Sequence, residues 1–507
     1  MSTVLEQTPT ATGTESQRAP WAAVLALALF EARQLLLRAP MLLALLLYIA
    51  WIVWRTPDFE NGYPALQDAD RATQSGPVLI ALALLICVNQ AMLRSARRDT
   101  ERHFAVLVLR PWQRTAGHAL SVVPIVLLVA VCVRAQFGWM ALESGSVGTA
   151  SAGELLVGPL TVLVAGAFGV LLARLFSSVL AAPLAIVLLF FLLFGGAFPA
   201  GSGERGTRWL APIVSENTSS AIPSDLMDRP AAWHALYLLG LALTVALVAV
   251  VVAGGRGPVL MGAVAAALAL ALTGGIVQTG ALPDRTTVAR ARATNAPEKE
   301  QVCVRRDGST YCAFPEWKPR TATWASVVDH VRSSAGGGAR TQPILVRQRV
   351  YATDGLSSDG ALDPSANPHQ VTVGTGWGGP RVPEFSAAVA AVLVTGSEKA
   401  TSGLCDGRMV TIMWLALNWQ PDPVKSLSNV RLDDSVTGSA IVLSPTDPMD
   451  MTSGQTSVVR ELLDQPRESV AAKVRAHWTE LTAPKVTSAR AAELLGVKAP
   501  KEKDKCD

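Results

Sequence analysis

Seven long apolar runs, separated by short polar loops, fill the chain up to about residue 280, near 35–54, 77–94, 117–135, 155–173, 178–196, 233–253 and 258–278. A helix needs about 20 apolar residues to cross a hydrocarbon core of about 30 Å. The runs meet that length, and the pattern predicts an α-helical polytopic membrane protein with about seven transmembrane helices. Gly166-Ala167-Phe168-Gly169, Pro124 and Pro183 inside the runs are no objection, because membrane helices tolerate Gly and Pro. Past residue 280 the pattern changes to short segments with Pro, Gly and charge between them, which predicts a mixed α/β domain over 285–497 and a charged tail at 498–507. Residues 1–19 carry no such pattern and read as a disordered N-terminus.

The first apolar stretch needs a separate account. From Trp21 to Trp54 only Glu31, Arg33, Gln34, Arg38 and Pro40 interrupt it. One straight helix of that length would be about 50 Å long at 1.5 Å per residue, with its polar group at mid-bilayer. The better arrangement lays residues 20–34 in the interface plane and turns the chain into the bilayer after them, with Arg38 snorkelling to the cytoplasmic side. The segment is too long and too interrupted for a signal peptide.

Composition sharpens the division. Charged residues make up only 17% of the 507-residue chain and the first Lys is Lys299, so every earlier basic side chain is Arg. A net charge of +4, spread out, gives no reason to expect nucleic acid. Cytoplasmic loops collect basic residues. The loop after the second run holds Arg94, Arg97, Arg98, Arg102, Arg110 and Arg114, whereas the loops at 55–76 and 136–153 are acidic or free of Lys and Arg. The N-terminus is therefore expected in the cytoplasm of a cell-membrane protein, and seven crossings put the 285–497 domain outside.

Cysteine usage points the same way. Cys303 and Cys312 bracket Asp307-Gly308, the two-residue signature of a tight hairpin. Counting outward from that turn sets Cys303 directly opposite Cys312, in a closely spaced pair within disulfide range, and such a bond belongs to an oxidising compartment. Cys87 and Cys132 fall within apolar runs as core thiols, and Cys405 with Cys506 form a second candidate pair. Strand-like stretches at 343–352, 370–374 and 440–444 alternate with helix-like ones at 322–334, 384–394, 456–465 and 468–481, and the short apolar run 410–419 reads as a buried element.

Enzyme signatures fail one by one. Gly374-Thr-Gly376-Trp-Gly-Gly379 matches the dinucleotide pattern, but Pro380 and Pro383 argue against the helix whose N-terminus would hold a pyrophosphate. The chain has no P-loop, no H-E-x-x-H and no G-x-S-x-G. His330, His369 and His477 are far apart in sequence, and neither metal nor cofactor is expected. Asn89, Gln90 and His118 are among the few polar residues within the runs, and no carboxylate stands at mid-run, so ion-coupled transport, which places ionisable groups at mid-membrane, is disfavoured.

Leu29-Phe-Glu31-Ala-Arg33-Gln-Leu-Leu-Leu-Arg38-Ala-Pro40, leading straight into the first span, resembles the elbow helix of ABC-2 type transporter permeases of the actinobacterial type. Ala96-Arg97-Arg98-Asp-Thr100-Glu101, continuing to Leu109-Arg-Pro111-Trp-Gln-Arg114, resembles the family's coupling segment, with Asp99 where a Gly is common. Arg208-Trp-Leu-Ala-Pro212 and Asp228-Arg-Pro-Ala-Ala-Trp233 are similar to its last outer loop. The resemblance covers about 20–255; the seventh span and the outer domain are additions to the minimal six-span permease. It implies a permease subunit in the lipid bilayer that works as a homodimer or pairs with a second permease. A separate ATPase subunit would contact the 94–114 loop through Arg97, Arg98, Thr100 and Glu101, and Glu31, Arg33 and Arg38 would anchor the elbow. The alternative expectation is a non-transporting envelope protein whose spans anchor an extracytoplasmic binding or sensing domain.

Overall fold

The computed structural model describes residues 15–94, 109–194, 205–214, 221–352 and 362–501, and the chain is mostly helical, with a small mixed α/β region towards the C-terminus. Helix α1 (Glu15–Leu36) turns at Leu37–Arg38 into α2 (Ala39–Arg55), with a bend of 65° between them. Pro40 sits in the first turn of α2, where a missing N–H removes no hydrogen bond. The turn expected after the 20–34 stretch is thus a corner between two helices at Leu37–Arg38.

After α2 come α3 (Leu66–Ala72), α4 (Pro77–Met92), α5 (Pro111–Leu120), α6 (Val123–Ala141), α7 (Ala152–Leu175) and α8 (Ala181–Phe194). Helices α9 (Ala231–Val252) and α10 (Pro258–Gln278) complete the apolar part. Five segments are long and apolar enough to cross a membrane: α3–α4, α5–α6, α7, α9 and α10, with the bent α1–α2 pair as a sixth. The expected run at 178–196 differs. Its described helix α8 has 14 residues, a rise of about 21 Å at 1.5 Å per residue, and residues 195–204 lie outside the described part. The expected span 117–135 also shifts. Pro124, which cannot donate to the carbonyl four residues back, stands just after a break at Ser121–Val122, and the apolar helix runs from 123 to 141.

Helix α7 is the centre of the bundle and packs on α4, α6 and α9. Close approach comes from small residues. A Cβ on Gly169 of α7 would lie 2.8 Å from the Leu85 carbonyl oxygen on α4, and one on Gly274 of α10 would lie 2.7 Å from Tyr237 N on α9. The apolar residues left outward, such as Leu46, Leu127, Leu184, Phe190 and Ile276, are well exposed, as side chains facing lipid would be.

Beyond α10, α11 (Asp284–Asn295) leads into a four-stranded sheet of order β1-β2-β3-β4: β1 (Val302–Arg306), β2 (Ser309–Ala313), β3 (Leu345–Gln348) and β4 (Gln370–Val373). Strands β1 and β2 are antiparallel, and β2, β3 and β4 are mutually parallel. The turn residues Asp307 and Gly308 have φ of 47° and 78°, the pair of left-handed residues a tight hairpin requires. The register is the one counted from the sequence, Arg306 opposite Ser309 and Cys303 opposite Cys312, and these cysteines are joined at a Cα separation of 4.0 Å.

Helices α12 (Thr321–Ser334) and α13 (Arg381–Thr395) pack on the sheet and α14 (Arg408–Leu417) packs on them, followed by strands β5 (Ala440–Val442) and β6 (Met449–Met451) and helices α15 (Ser453–Leu463), α16 (Arg467–Ala476) and α17 (Ser488–Leu495). Every residue from Met409 to Leu417 is buried, so the short apolar run is the central helix of this region. Cys405 is disulfide-bonded; Cys506 lies outside the described residues.

One expectation fails here. Pro380 and Pro383 do not block a helix after the Gly-rich loop, because α13 starts at Arg381. Its first N–H groups have no intrahelical partner, so Pro383 in the first turn costs no backbone hydrogen bond. Strand β4, the Gly-rich loop and α13 therefore form a strand–loop–helix unit.

Candidate functional site

The carboxyl ends of the parallel strands face the bundle. Packed on them are three segments of the bundle end: the stretch 56–76, which includes α3, the loop 142–151 and the stretch 205–230. One hydrophobic core runs through both parts, since Ala65, Val147, Ile222, Leu226 and Met227 share it with Trp317, Trp377 and the α13–α14 core.

Three polar clasps hold this junction, those of Arg320, Glu316 and Arg290, and a fourth, around Gln67 and Arg229, ties the bundle-end segments to one another. Arg320 is 2% exposed and donates through Nη2 to the Tyr63 carbonyl at 2.5 Å and through Nη1 to the Thr375 carbonyl at 2.7 Å, where Trp317 Nε1 also donates at 2.9 Å. Gln67 Nε2 donates to Ile222 O at 2.9 Å, and Arg229 donates to Gln67 O and to Asp68 Oδ1, the latter at 3.1 Å. Glu316 accepts from the Ser224 backbone N–H at 3.1 Å and from the hydroxyls of Thr149 and Ser224. Arg290 on α11 donates to the carbonyls of Leu226 and Met227 at 2.7 and 3.2 Å.

The Gly-rich loop belongs to the same junction. Gly378 and Gly379 have φ of 83° and 52°, and a Cβ on them would lie 2.5 Å from Tyr63 Cδ2 and 2.6 Å from Asn61 Cγ. These glycines admit the loop at 59–63, which occupies the face that a dinucleotide would need.

Between the two parts lies a cavity of about 560 Å³. Its wall brings Glu60, Asp68, Arg71 and Arg229 of the bundle end together with Trp377 and Arg381 of the C-terminal region. Arg71 donates to Val214 O at 2.6 Å and sits 5.9 Å over the Trp209 ring. Glu60 accepts from Ala65 N–H at 2.7 Å. Burial, with the Asp68 charge adding to it, pushes the Glu60 carboxyl up to about 7, although Ala65 N–H and Arg320 oppose the rise. Burial also pushes the Arg320 guanidinium down to about 10. At the edge of this site Asp70 and Glu154, 1% and 2% exposed, are cross-tied: Ser151 N–H donates to Asp70 Oδ2 at 2.8 Å and Gln74 Nε2 to Glu154 Oε2 at 2.5 Å.

At the opposite end of the bundle the corner between α1 and α2 meets the end of α4. Glu31, 6% exposed, pairs with Arg94 at 3.5 Å, and Arg94 Nη1 donates to Gln34 at 2.8 Å. Arg38 is half-buried and donates to the Cys87 carbonyl at 2.6 Å, so it ties the corner to α4 instead of reaching out to water. Arg33 is exposed. Trp21 and Trp112 meet edge to face at 6.2 Å, which sets α1 on α5. Arg97, Arg98, Thr100 and Glu101 lie outside the described residues.

The histidines of the C-terminal region do not converge: His330 stacks on Trp419 at 4.7 Å, His369 meets Gln342, and His477 precedes the short helix at 478–481. Among the described residues no group of three or more His, Cys, Asp or Glu is placed to hold a metal ion. Glu60, Asp70, Glu154 and Arg320 carry no local sequence signal of this placement; the acids at 58–70 signal only an orientation bias. Comparison with protein-family models, with curated proteins and with solved structures gives no match.

Proposed function

We propose that the chain is the membrane-spanning permease subunit of an ABC-2 type exporter, energised by a separate ATPase subunit that docks on the 94–114 loop. The observation that carries this reading is the tie between elbow and loop. Arg94, where the loop leaves α4, is held to Gln34 and Glu31 of α1, and α1 turns through the Arg38 corner into α2. Motion imposed on the loop by nucleotide hydrolysis would reach α1 and α2 through these contacts. Arg97, Arg98, Thr100 and Glu101 would meet the ATPase surface, and a second permease copy or a different one would complete the path.

Two further observations support the topology. Helix α7 starts beside Asp70 and Gln74 and runs away from them for 24 residues, yet Val214 is back at that end, accepting from Arg71. The chain between them has to return the length of the bundle, which favours counting α8 towards a seventh crossing. The end bearing Arg94, Arg110 and Arg174 then faces the cytoplasm, and the C-terminal region with its Cys303–Cys312 bond lies outside, in an oxidising compartment. The cavity beneath that region is where an exported molecule would leave the spans.

Purification of the full chain in mild detergent tests the reading. A stand-alone P-loop ATPase should co-purify, and replacing residues 97–101 by Ala should remove it. A preparation in which neither happens leaves the chain as an anchored envelope protein without transport. A reporter fused after residue 507 should be active only outside the membrane; activity in the cytoplasm would refute the seven crossings.

A further inference from the structure

A second cavity of about 380 Å³ opens beside the first and shares three of its wall residues, Phe59, Ala72 and Ser75. Its outer wall is the last turn of α2, where Trp51 and Trp54 stand edge to face at 5.7 Å; Trp54 is 70% exposed, on the face of α2 that carries the outward leucines. Tryptophans at the end of a spanning helix sit at the level of the lipid headgroups. The inner wall is polar in an unusual way. Gln136 and Thr56 both line the cavity, both are 3% exposed, and Gln136 Oε1 and Thr56 Oγ1 have no hydrogen-bond partner.

Two orphaned polar atoms in one cavity are costly unless something occupies it. The carbonyl oxygen of Gln136 can only accept, and the Thr56 hydroxyl can do either. The occupant must therefore bring a donor, and the aromatic wall asks for an apolar body. We infer that this slot binds an amphiphile whose head carries hydroxyl or N–H donors, entering between Trp51 and Trp54 from the outer face of the bilayer, with its head against Gln136 and Thr56. Phe59, Ala72 and Ser75 form the wall that this slot shares with the larger cavity beneath the C-terminal region. The inference stands on the cavity and its orphaned atoms, and holds whether or not the chain exports anything.

The test is photolabelling of the full chain in phosphatidylcholine nanodiscs with an alkyl glucoside that carries a diazirine on its chain. Label should concentrate in peptides covering residues 51–59 and 136–140. It should be displaced by octyl glucoside, whereas the surrounding phosphatidylcholine, whose head has no donor, leaves it in place. Gln136→Leu should weaken labelling about tenfold, the loss of one buried hydrogen bond, and the nearly isosteric Thr56→Val should weaken it while keeping the fold intact. Replacing part of the lipid with phosphatidylglycerol, whose head carries hydroxyls, separates two sources of the same chemistry. Displacement by it identifies a membrane lipid, and displacement by glucoside alone identifies a non-lipid amphiphile. Label spread over the exposed faces of α8 and α10, or unchanged in both variants, would overturn the inference.

Discussion

Replacing Arg320 by Met removes the clasp between the bundle end and the strand ends while keeping a side chain of similar length. The wild-type guanidinium satisfies two backbone carbonyls, of Tyr63 and Thr375. Thr375 keeps the Trp317 indole donor, so only the Tyr63 carbonyl is orphaned. An orphaned buried carbonyl costs about 1–3 kcal/mol. Losing the second, charge-assisted bond adds to this, and relief of a buried charge that already holds the group down to about 10 subtracts from it. A net weakening of about 2 kcal/mol follows, about a thirtyfold rise in the population with the junction open. Hydrogen exchange read by mass spectrometry on the full chain in detergent reports it directly. Exchange of the peptide 59–66 should rise about thirtyfold, with the β1–β2 hairpin and α7 unchanged, and Arg320→Lys, which can serve one carbonyl, should fall between. If exchange in 59–66 changes less than about twofold, or rises equally along the chain, the clasp does not hold the junction.

Other outcomes follow from the same geometry. Glu60 is raised in the folded chain from 4.5 to about 7, so its contribution is fully present below the lower value and is lost as pH rises through the upper one; protection of 59–66 should fall between pH 5 and 8, and Glu60→Gln should flatten that profile. Gly379→Ala forces a left-handed residue with a side chain against Asn61, costing about 1–2 kcal/mol for the backbone alone, and a lowered thermal midpoint checks it; Asn61→Ala should relieve the crowding but not the backbone part. Reduction of Cys303–Cys312 opens a ten-residue ring and should destabilise the C-terminal region by about 2–3 kcal/mol, seen as a thermal shift that vanishes in the double Cys→Ala variant.

What could be read from the chain was what lies within one local period. Apolar runs gave α4, α7, α9 and α10 to within a few residues, and Asp307-Gly308 gave the hairpin register to the residue pair. The corner between α1 and α2 was legible because Glu31 to Pro40 interrupts an otherwise apolar stretch. Two misplacements were local but ambiguous: Pro124 marks a break inside an apolar run, and Pro383 sits where a helix start tolerates it. The candidate site was not legible. Glu154 meets Gln74 across 80 residues and Arg320 meets Tyr63 across 257, and no periodicity encodes such pairings. A motif that matched on paper, Gly374 to Gly379, proved to be a surface shaped for Asn61 and Tyr63.

That last separation sets an order of events in synthesis. The stretch 56–76 leaves the ribosome some 257 residues ahead of the arginine that fastens it. At about 5–20 residues per second the interval is on the order of 13 to 50 seconds. Through that time the Tyr63 carbonyl has water, not protein, on it, and the apolar patch around Ala65 and Val147 lacks the cover of Trp317 and Trp377. The spans are inserted before the lid that finishes them exists, so the helices have to hold together on their own packing first. A chain cut short near residue 284 would stay in that unfinished state, with one end of its bundle still waiting for a core.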